Sequence, residues 1–495
     1  MTTTRPDWNT ADTTRLTRRF ADRALSRMAG APLIPGNRIS LLRDAEENYS
    51  AWMEAMRKAN RFIHFETYFF RADRIGQDFA HILEQKAREG VKVRLVYDWL
   101  GNMGAASWLF WRNLRKAGVE VRCFRPPRLY DPIESLSRDH RKIIIVDGST
   151  AFVSGLCVGQ SWIGDKARKI APWRDTGVSI HGPAVREVDR SFRQMWNSLD
   201  PRRPIADPPA SIVPQSGGVE LRIVPGEPGS GGLYRLDLLI AAMARKSIWL
   251  TDAYFFANPS YIQSLRAAAL DGVDVRLLLP RTSDIPIVRA LSRTGYRTLL
   301  EAGVRIFEWN GSMLHAKTAV VDERWSRVGS TNLNIASWVG NYELDVVVED
   351  RAFGRLMQQM YLDDLDNATE IVLTGKARVR PKELRTRQRR GKGAARRSAG
   401  RAATGVMAAG STAGVAIARS RLLGPAEAPI MVSASVVLLI VCALSALFPH
   451  TSSIVVAVAC GWLALVLLFK ALRLHRSAVS PGDSPGPEKN ANRVE

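Results

Sequence analysis

HRKIIIVD at residues 140–147 and HAKTAVVD at residues 315–322 are two copies of one pattern: His140, Lys142 and Asp147 recur with identical offsets as His315, Lys317 and Asp322. Each copy runs through β-branched residues, the composition of a buried strand. Positions i and i+2 of a strand share a face, so each histidine is expected beside its lysine. An imidazole next to an ammonium suits chemistry on an anionic phosphate. Two such pairs supply a nucleophile and a general acid. A lone histidine on an apolar strand is more often a core residue than a catalyst, but the recurrence of all three residues reverses that balance. The histidines lie 175 residues apart, too far for a solenoid repeat and right for a duplicated domain.

The duplication extends outward from the pattern. Phe65-Glu66-Thr67-Tyr68-Phe69-Phe70 is echoed by Thr251-Asp252-Ala253-Tyr254-Phe255-Phe256, Gly90-Val91 by Gly272-Val273, and Ala117-Gly118-Val119 by Ala302-Gly303-Val304. Each half therefore reads as strand, helix, strand, helix, strand and then the pattern, with helices at Gln77 to Glu89 and Pro259 to Asp271. Glycine-valine pairs punctuate the helix ends. The class is α/β, a mixed sheet covered by helices.

The second copy continues to Gly329-Ser330-Thr331-Asn332 and Asn341-Tyr342-Glu343-Leu344. This resembles the phospholipase D superfamily, whose pattern is HxKxxxxD followed by GSxN. The first copy departs from it, with Ser154-Gly155-Leu156-Cys157 placing Cys157, a weak hydrogen-bond donor, where the asparagine is expected. Trp173-Arg174-Asp175-Thr176 and His181-Gly182-Pro183-Ala184-Val185 resemble the bacterial cardiolipin synthases of that superfamily. The resemblance implies a duplicated phospholipase D-type fold, two mixed-sheet halves with pseudo-twofold symmetry that bring both His-Lys pairs into one cleft. It also implies a candidate catalytic set of His140, Lys142, Asp147, His315, Lys317, Asp322, Asp175 and Glu343. His140 is assigned as nucleophile and His315 as the acid, then the base; near-symmetry leaves the reverse assignment open. Lys142, Lys317, Ser330 and Asn332 are expected on the non-bridging phosphate oxygens. Glu343 is expected to orient His315, and Asp175 to orient His140. Asp147 and Asp322 are read as structural members that close a strand end or pair with a base. Tyr68 and Tyr254 recur at a strand end, where they either reach the cleft or pack in the core. No metal and no cofactor are called for.

At 495 residues the chain is long for one core, and its division is read as 1–34 basic amphipathic segment, 35–213 first half, 214–372 second half, 373–428 basic linker, 429–470 two transmembrane helices and 471–495 disordered tail. Half of the net charge of +22 falls between Lys376 and Arg401, where twelve basic residues face Glu383 alone. A nucleic-acid arm fits such a run, but its place before an apolar stretch favours anionic lipid headgroups. Ile430 to Phe448 and Thr451 to Phe469 carry no charge, and each is long enough for a bilayer core of about 30 Å. They read as a C-terminal transmembrane helical hairpin. Basic residues at its outer ends place both termini in the cytoplasm, at the inner membrane of a bacterium. Four scattered cysteines give no zinc spacing and no disulfide framework, and the first residues lack a signal-peptide core. Asp12 to Ala29 reads as a basic amphipathic helix that lies either on a membrane or on the catalytic halves.

The expected activity is that of a cardiolipin synthase-like phosphatidyltransferase, moving a phosphatidyl group onto phosphatidylglycerol. The phosphatidyl donor is phosphatidylglycerol itself or phosphatidylethanolamine. A phospholipase D-type hydrolase is the nearest alternative. A nuclease fits the basic charge but gives no reason for an apolar hairpin, and a membrane tether without activity leaves the two intact His-Lys-Asp sets unexplained.

Overall fold

The computed structural model describes residues 21–126, 137–206, 213–285, 291–373 and 379–381. The first half contributes β1 (Ile34–Arg43), β2 (Phe62–Thr67), β3 (Lys92–Asp98), β4 (Glu120–Phe124), β5 (Ile143–Val146), β6 (Thr150–Ser154) and β7 (Thr176–His181), in the sheet order β1-β7-β6-β5-β2-β3-β4. The second contributes β8 (Val219–Gly226), β9 (Ser247–Thr251), β10 (Asp274–Pro280), β11 (Arg305–Trp309), β12 (Thr318–Val321), β13 (Trp325–Gly329) and β14 (Glu343–Glu349). Their order, β8-β14-β13-β12-β9-β10-β11, repeats the first strand for strand, with β15 (Ala368–Leu373) and β16 (Val379–Pro381) added at the edge. In each half the three strands before the pattern run parallel and the others antiparallel. The halves join where β1 and β8 pair antiparallel, Ile34 opposite Leu221 and Asn37 opposite Val219, the relation a twofold axis generates. The mixed α/β sheet expected from the sequence is the fold observed.

Nine helices among the described residues are named here: α1 (Asp44–Arg57), α2 (Arg74–Arg88), α3 (Trp108–Lys116), α4 (Gln160–Ile163), α5 (Val185–Leu199), α6 (Gly232–Met243), α7 (Pro259–Leu270), α8 (Tyr296–Leu300) and α9 (Arg351–Leu365). The apolar faces of α1, α2 and α3 bury Trp52, Phe79, Leu83 and Leu114 against one side of the first half. Those of α6, α7 and α8 do the same in the second half through Leu236, Leu265 and Leu299. A third core holds residues of both halves, with Phe192 and Trp196 of α5 and Met357 and Met360 of α9 packed among Ile143, Ile145, Val320 and Val346. Burial of this kind contributes roughly 1.5–3 kcal/mol per large apolar side chain.

Helix α2 begins three residues before the expected Gln77, because the Asp73 side chain accepts the Gly76 amide at 3.1 Å and caps the helix there. Gly90 and Gly272 end α2 and α7 at φ of +91° and +89°, a conformation that favours glycine.

Strands β5 and β12 start only at Ile143 and Thr318, so the His-x-Lys segments precede the strands instead of lying on them. The reason is a change of backbone partner. His140 N–H donates to Tyr342 O at 2.8 Å and His315 N–H to Arg174 O at 2.7 Å, each bond crossing to the other half of the chain.

Residues 21–29 are helical and pack on the second half: Leu25 and Ala29 are buried in its core, and Arg222 Nη1 donates to Ser26 Oγ at 2.6 Å. Of the two readings of the amino-terminal helix, packing on the catalytic halves holds for this part; Asp12 to Phe20 lies outside the described residues. The linker beyond Leu373, apart from residues 379–381, the hairpin and the tail also lie outside them. Among the described residues no helix is long and apolar enough to cross a membrane.

Candidate active site

The two histidines meet carboxylates in a crossed arrangement. His140 Nδ1 is 2.9 Å from Glu343 Oε2, and His315 Nδ1 is 2.7 Å from Asp175 Oδ2. The expected partners are thereby exchanged. The backbone bridges that pull His140 onto Tyr342 and His315 onto Arg174 bring each histidine against the residue that follows its bridge partner, which belongs to the opposite half. Each of these two pairs takes its histidine from one half and its carboxylate from the other.

A carboxylate on Nδ1 fixes the tautomer with the proton on that nitrogen and leaves the Nε2 lone pair for chemistry. Burial lowers the His140 pKa from its ordinary value against the attraction of Glu343. His315 is driven down to about 3, by burial and then by the neighbouring Lys317 ammonium. Burial alone would raise both carboxylates, but the facing imidazoles win, holding Asp175 at about 2 and Glu343 below its usual range. Each resting pair is therefore a neutral imidazole hydrogen-bonded to an anion.

Lys142 Nζ donates to His140 O, and Lys317 Nζ to His315 O, so each ammonium folds back over its own histidine. Lys317 Nζ also lies 2.9 and 3.1 Å from the two ring nitrogens of His315. Burial brings the Lys317 pKa down to about 8. The tyrosines reach the cleft in matched positions. Tyr68 is edge-on to His140 with centroids 5.0 Å apart, and Tyr254 is edge-on to His315 at 5.8 Å. Each tyrosine ring also lies under the lysine of its own half, at 5.3 and 5.9 Å.

Asp147 and Asp322 are away from the cleft. Asp147 accepts the backbone amides of Asn60, Arg61 and Phe62 at 2.8–2.9 Å, and Asp322 those of Arg245, Lys246 and Ser247 at 2.7–2.9 Å. Five residue steps, roughly 16 Å, separate them from the lysines. They close the strand ends, the first of the two structural roles read for them, and although counted in the candidate catalytic set they stand apart from the histidines.

Ser330 is fully buried behind Glu343, its Oγ accepting the Leu344 amide at 3.0 Å and helping to hold the Glu343 carboxylate down. It supports the carboxylate instead of facing substrate, contrary to its expected contact with phosphate. Asn332 is 4% exposed and makes no side-chain hydrogen bond among the described residues, which leaves its amide for a ligand. Cys157, its counterpart, is also buried, so the two halves present different donors.

Residues 52–196 and 239–364 match the family described as cardiolipin synthase, PLD-like domain. The cardiolipin synthase of Geobacillus kaustophilus is 34% identical over 352 residues, 70% of this chain and 69% of that one. Cardiolipin synthase A of Pseudomonas fluorescens is 34% identical over 356 residues, 70% and 73% of the two chains. The chain belongs to the cardiolipin synthase family of the phospholipase D superfamily. It is an enzyme of the phosphatidyltransferase class. Among solved structures, the phosphatidylserine synthase of Haemophilus influenzae Rd KW20 shares the fold, with a TM-score of 0.52 at 16% identity, covering 70% of this chain and 91% of that one.

In this cardiolipin synthase-family chain the structure adds four residues that the sequence reading left without a role. Trp162 is fully buried, and its Nε1 donates to Asp175 Oδ2 at 2.9 Å, the oxygen that also meets His315. No pattern marked it; beside Glu343 the supporting hydroxyl comes instead from Ser330, which stands in the motif where the first half has Gly155. Arg141, the variable residue between His140 and Lys142, donates to Glu343 O at 3.1 Å, Ser191 O at 3.1 Å and Gly226 O at 3.4 Å. Arg174 grips Asp364 of α9 through Nε and Nη2 at 2.8 and 2.9 Å. Both arginines are buried charges, whose cost is recovered only through such multiple partners. Gly155 completes the carboxylate seat: a Cβ there would stand 2.2 Å from Asp175 Oδ1.

Proposed function

We propose that this enzyme makes cardiolipin by moving a phosphatidyl group from one phospholipid to the terminal glycerol hydroxyl of phosphatidylglycerol. The crossed pairs, His140 with Glu343 and His315 with Asp175, carry this reading, because they place two oriented imidazoles in one site. In the first step His140 Nε2 attacks phosphorus, the bond to the departing alcohol breaks, and His315 supplies that oxygen with a proton. In the second, His315 takes the proton of the incoming hydroxyl, whose oxygen attacks phosphorus and breaks the P–N bond. Splitting the reaction through a phosphohistidine avoids expelling a poor leaving group in one uncatalysed step. A bound anionic phosphodiester raises the proton affinity that burial and Lys317 have taken from His315, so the resting neutral imidazole first takes up from solvent, at Nε2, the proton it gives to the leaving oxygen.

Lys142, Lys317 and the Asn332 amide are assigned to the non-bridging oxygens, where each well-placed donor is worth about 3 kcal/mol in the transition state. Substrates of this kind reside in membranes, in keeping with the basic run between Lys376 and Arg401 and the two uncharged stretches that follow it in the sequence.

Purified enzyme given phosphatidylglycerol alone should yield cardiolipin and free glycerol in equal amounts, measured by mass. Phosphatidic acid as the sole product would make the enzyme a hydrolase, and a requirement for added phosphatidylethanolamine would change the donor. Cleavage of an oligonucleotide in place of lipid would overturn the reading.

A further inference from the structure

The mouth of the site in the first half is built from segments tied edge to edge. Arg71 N–H donates to Val158 O, and Ala72 N–H to Ala105 O, both at 3.0 Å. Gln160 N–H, at the start of α4, donates to Asp73 Oδ2 at 2.7 Å. The loop after β2, which carries Tyr68 into the cleft, thus lies between two protrusions. On one side α4 leads into a tight hairpin, residues 165–170, closed by Asp165 N–H to Ile170 O at 2.8 Å and Ile170 N–H to Asp165 O at 2.9 Å. That hairpin runs straight on to Trp173 and Asp175, so it stands next to His315. On the other side the loop after β3 ends in α3, whose first turn is at the same end of the parallel strands as Tyr68.

Both protrusions expose apolar side chains beside cations. In α3, Phe110, Trp111 and Leu114 fill the core, while Trp108 is 68% and Leu109 49% exposed. The Arg112 guanidinium covers the Trp108 ring at 4.6 Å. In the hairpin Ile170 is 49% exposed, and Lys166, Arg168 and Lys169 are exposed with no salt bridge among the described residues. Exposed tryptophan and isoleucine lower the free energy of the chain only if something covers them. Trp with neighbouring Arg and Lys is the composition that resides at a bilayer's headgroup level.

We propose that this rim, Trp108 and Leu109 with Arg112 on one side and Ile170 with Lys166, Arg168 and Lys169 on the other, is the surface by which the catalytic halves dock on an anionic bilayer. The cations meet lipid phosphates and the three apolar side chains enter among the acyl chains. Docking there opens the cleft directly onto the bilayer that holds the substrates. The inference rests on the lipid-substrate reading and adds to it the face that meets the lipid.

The test compares two forms of the same substrate with the full-length chain. One variant carries Trp108→Ser, Leu109→Ser and Ile170→Ser; the other carries Lys166→Gln, Arg168→Gln and Lys169→Gln. With phosphatidylglycerol vesicles, each should lose on the order of tenfold in kcat/KM. With phosphatidylglycerol dispersed in detergent, each should match the wild type. Vesicle turnover by the wild type should fall with added salt, and that dependence should flatten in the charge variant. Equal losses on both substrate forms, or no loss on vesicles, would overturn the proposal. So would variants that break a wild-type oligomer seen by light scattering, which would make the face a contact between copies. Wild-type turnover of dispersed lipid is the control that separates failure of this surface from failure of the lipid-substrate reading.

Discussion

Alanine at His140 should lower phosphatidyl transfer by about four to six orders of magnitude, and alanine at His315 should do the same. The effect is large because, among the described residues, His140 and His315 are the imidazoles beside the motif lysines that have a carboxylate behind them. Lys142 and Lys317 carry charge but are held over the histidines, and the tyrosine rings contribute edges rather than bases. Chelators should leave wild-type turnover unchanged, since both proton transfers and the covalent step are assigned to side chains. Activity within tenfold of wild type in either folded variant contradicts the scheme, as does loss on chelation that zinc or magnesium restores.

Removing the charge from the orienting carboxylates should cost about two to four orders of magnitude, and the crossed pairing dictates which step suffers. Glu343→Gln acts on His140, so the phosphohistidine should form slowly. Asp175→Asn acts on His315, so protonation of the leaving alcohol should fail. A phosphatidyl donor with nitrophenol as leaving group departs without a proton and separates the two cases. With it, a burst of nitrophenol should return in Asp175→Asn and stay absent in Glu343→Gln. The reverse pattern is what the uncrossed pairing, or exchanged roles of the two histidines, would produce.

The crossing was the part of the site that sequence could not give. His140, Lys142, His315 and Lys317 were legible because their offsets repeat, and Asp175 and Glu343 because their motifs resemble a family. Which carboxylate faces which histidine depends on bridges between Asp139 and Tyr342 and between Arg174 and Leu314, contacts of residues 140 to 203 positions apart that leave no periodic trace. The succession of strands and helices along each half was legible for the same reason as the histidines: each half repeats its hydrophobic and glycine punctuation, so β2, β3 and β4 reappear as β9, β10 and β11, whereas their order in the sheet was not read. Strands β1 and β8, which join the halves, were not recognised, since Ile34–Arg43 and Val219–Gly226 share no motif. Ser330 was misplaced because a GSxN motif says which residues lie near phosphate, but not that one of them turns its hydroxyl to the carboxylate behind. Trp162 gave no signal, since a buried tryptophan reads as core until its indole N–H is found on Asp175.

Stereochemistry at phosphorus tests the covalent two-histidine route most directly. Phosphatidylglycerol made chiral at phosphorus with oxygen isotopes is converted to cardiolipin, and the configuration of the transferred phosphorus is read by phosphorus NMR. Two in-line displacements, onto His140 and then onto the acceptor hydroxyl, predict overall retention. Inversion would mean that the acceptor attacks the donor directly, and it would contradict the phosphohistidine at the centre of this account.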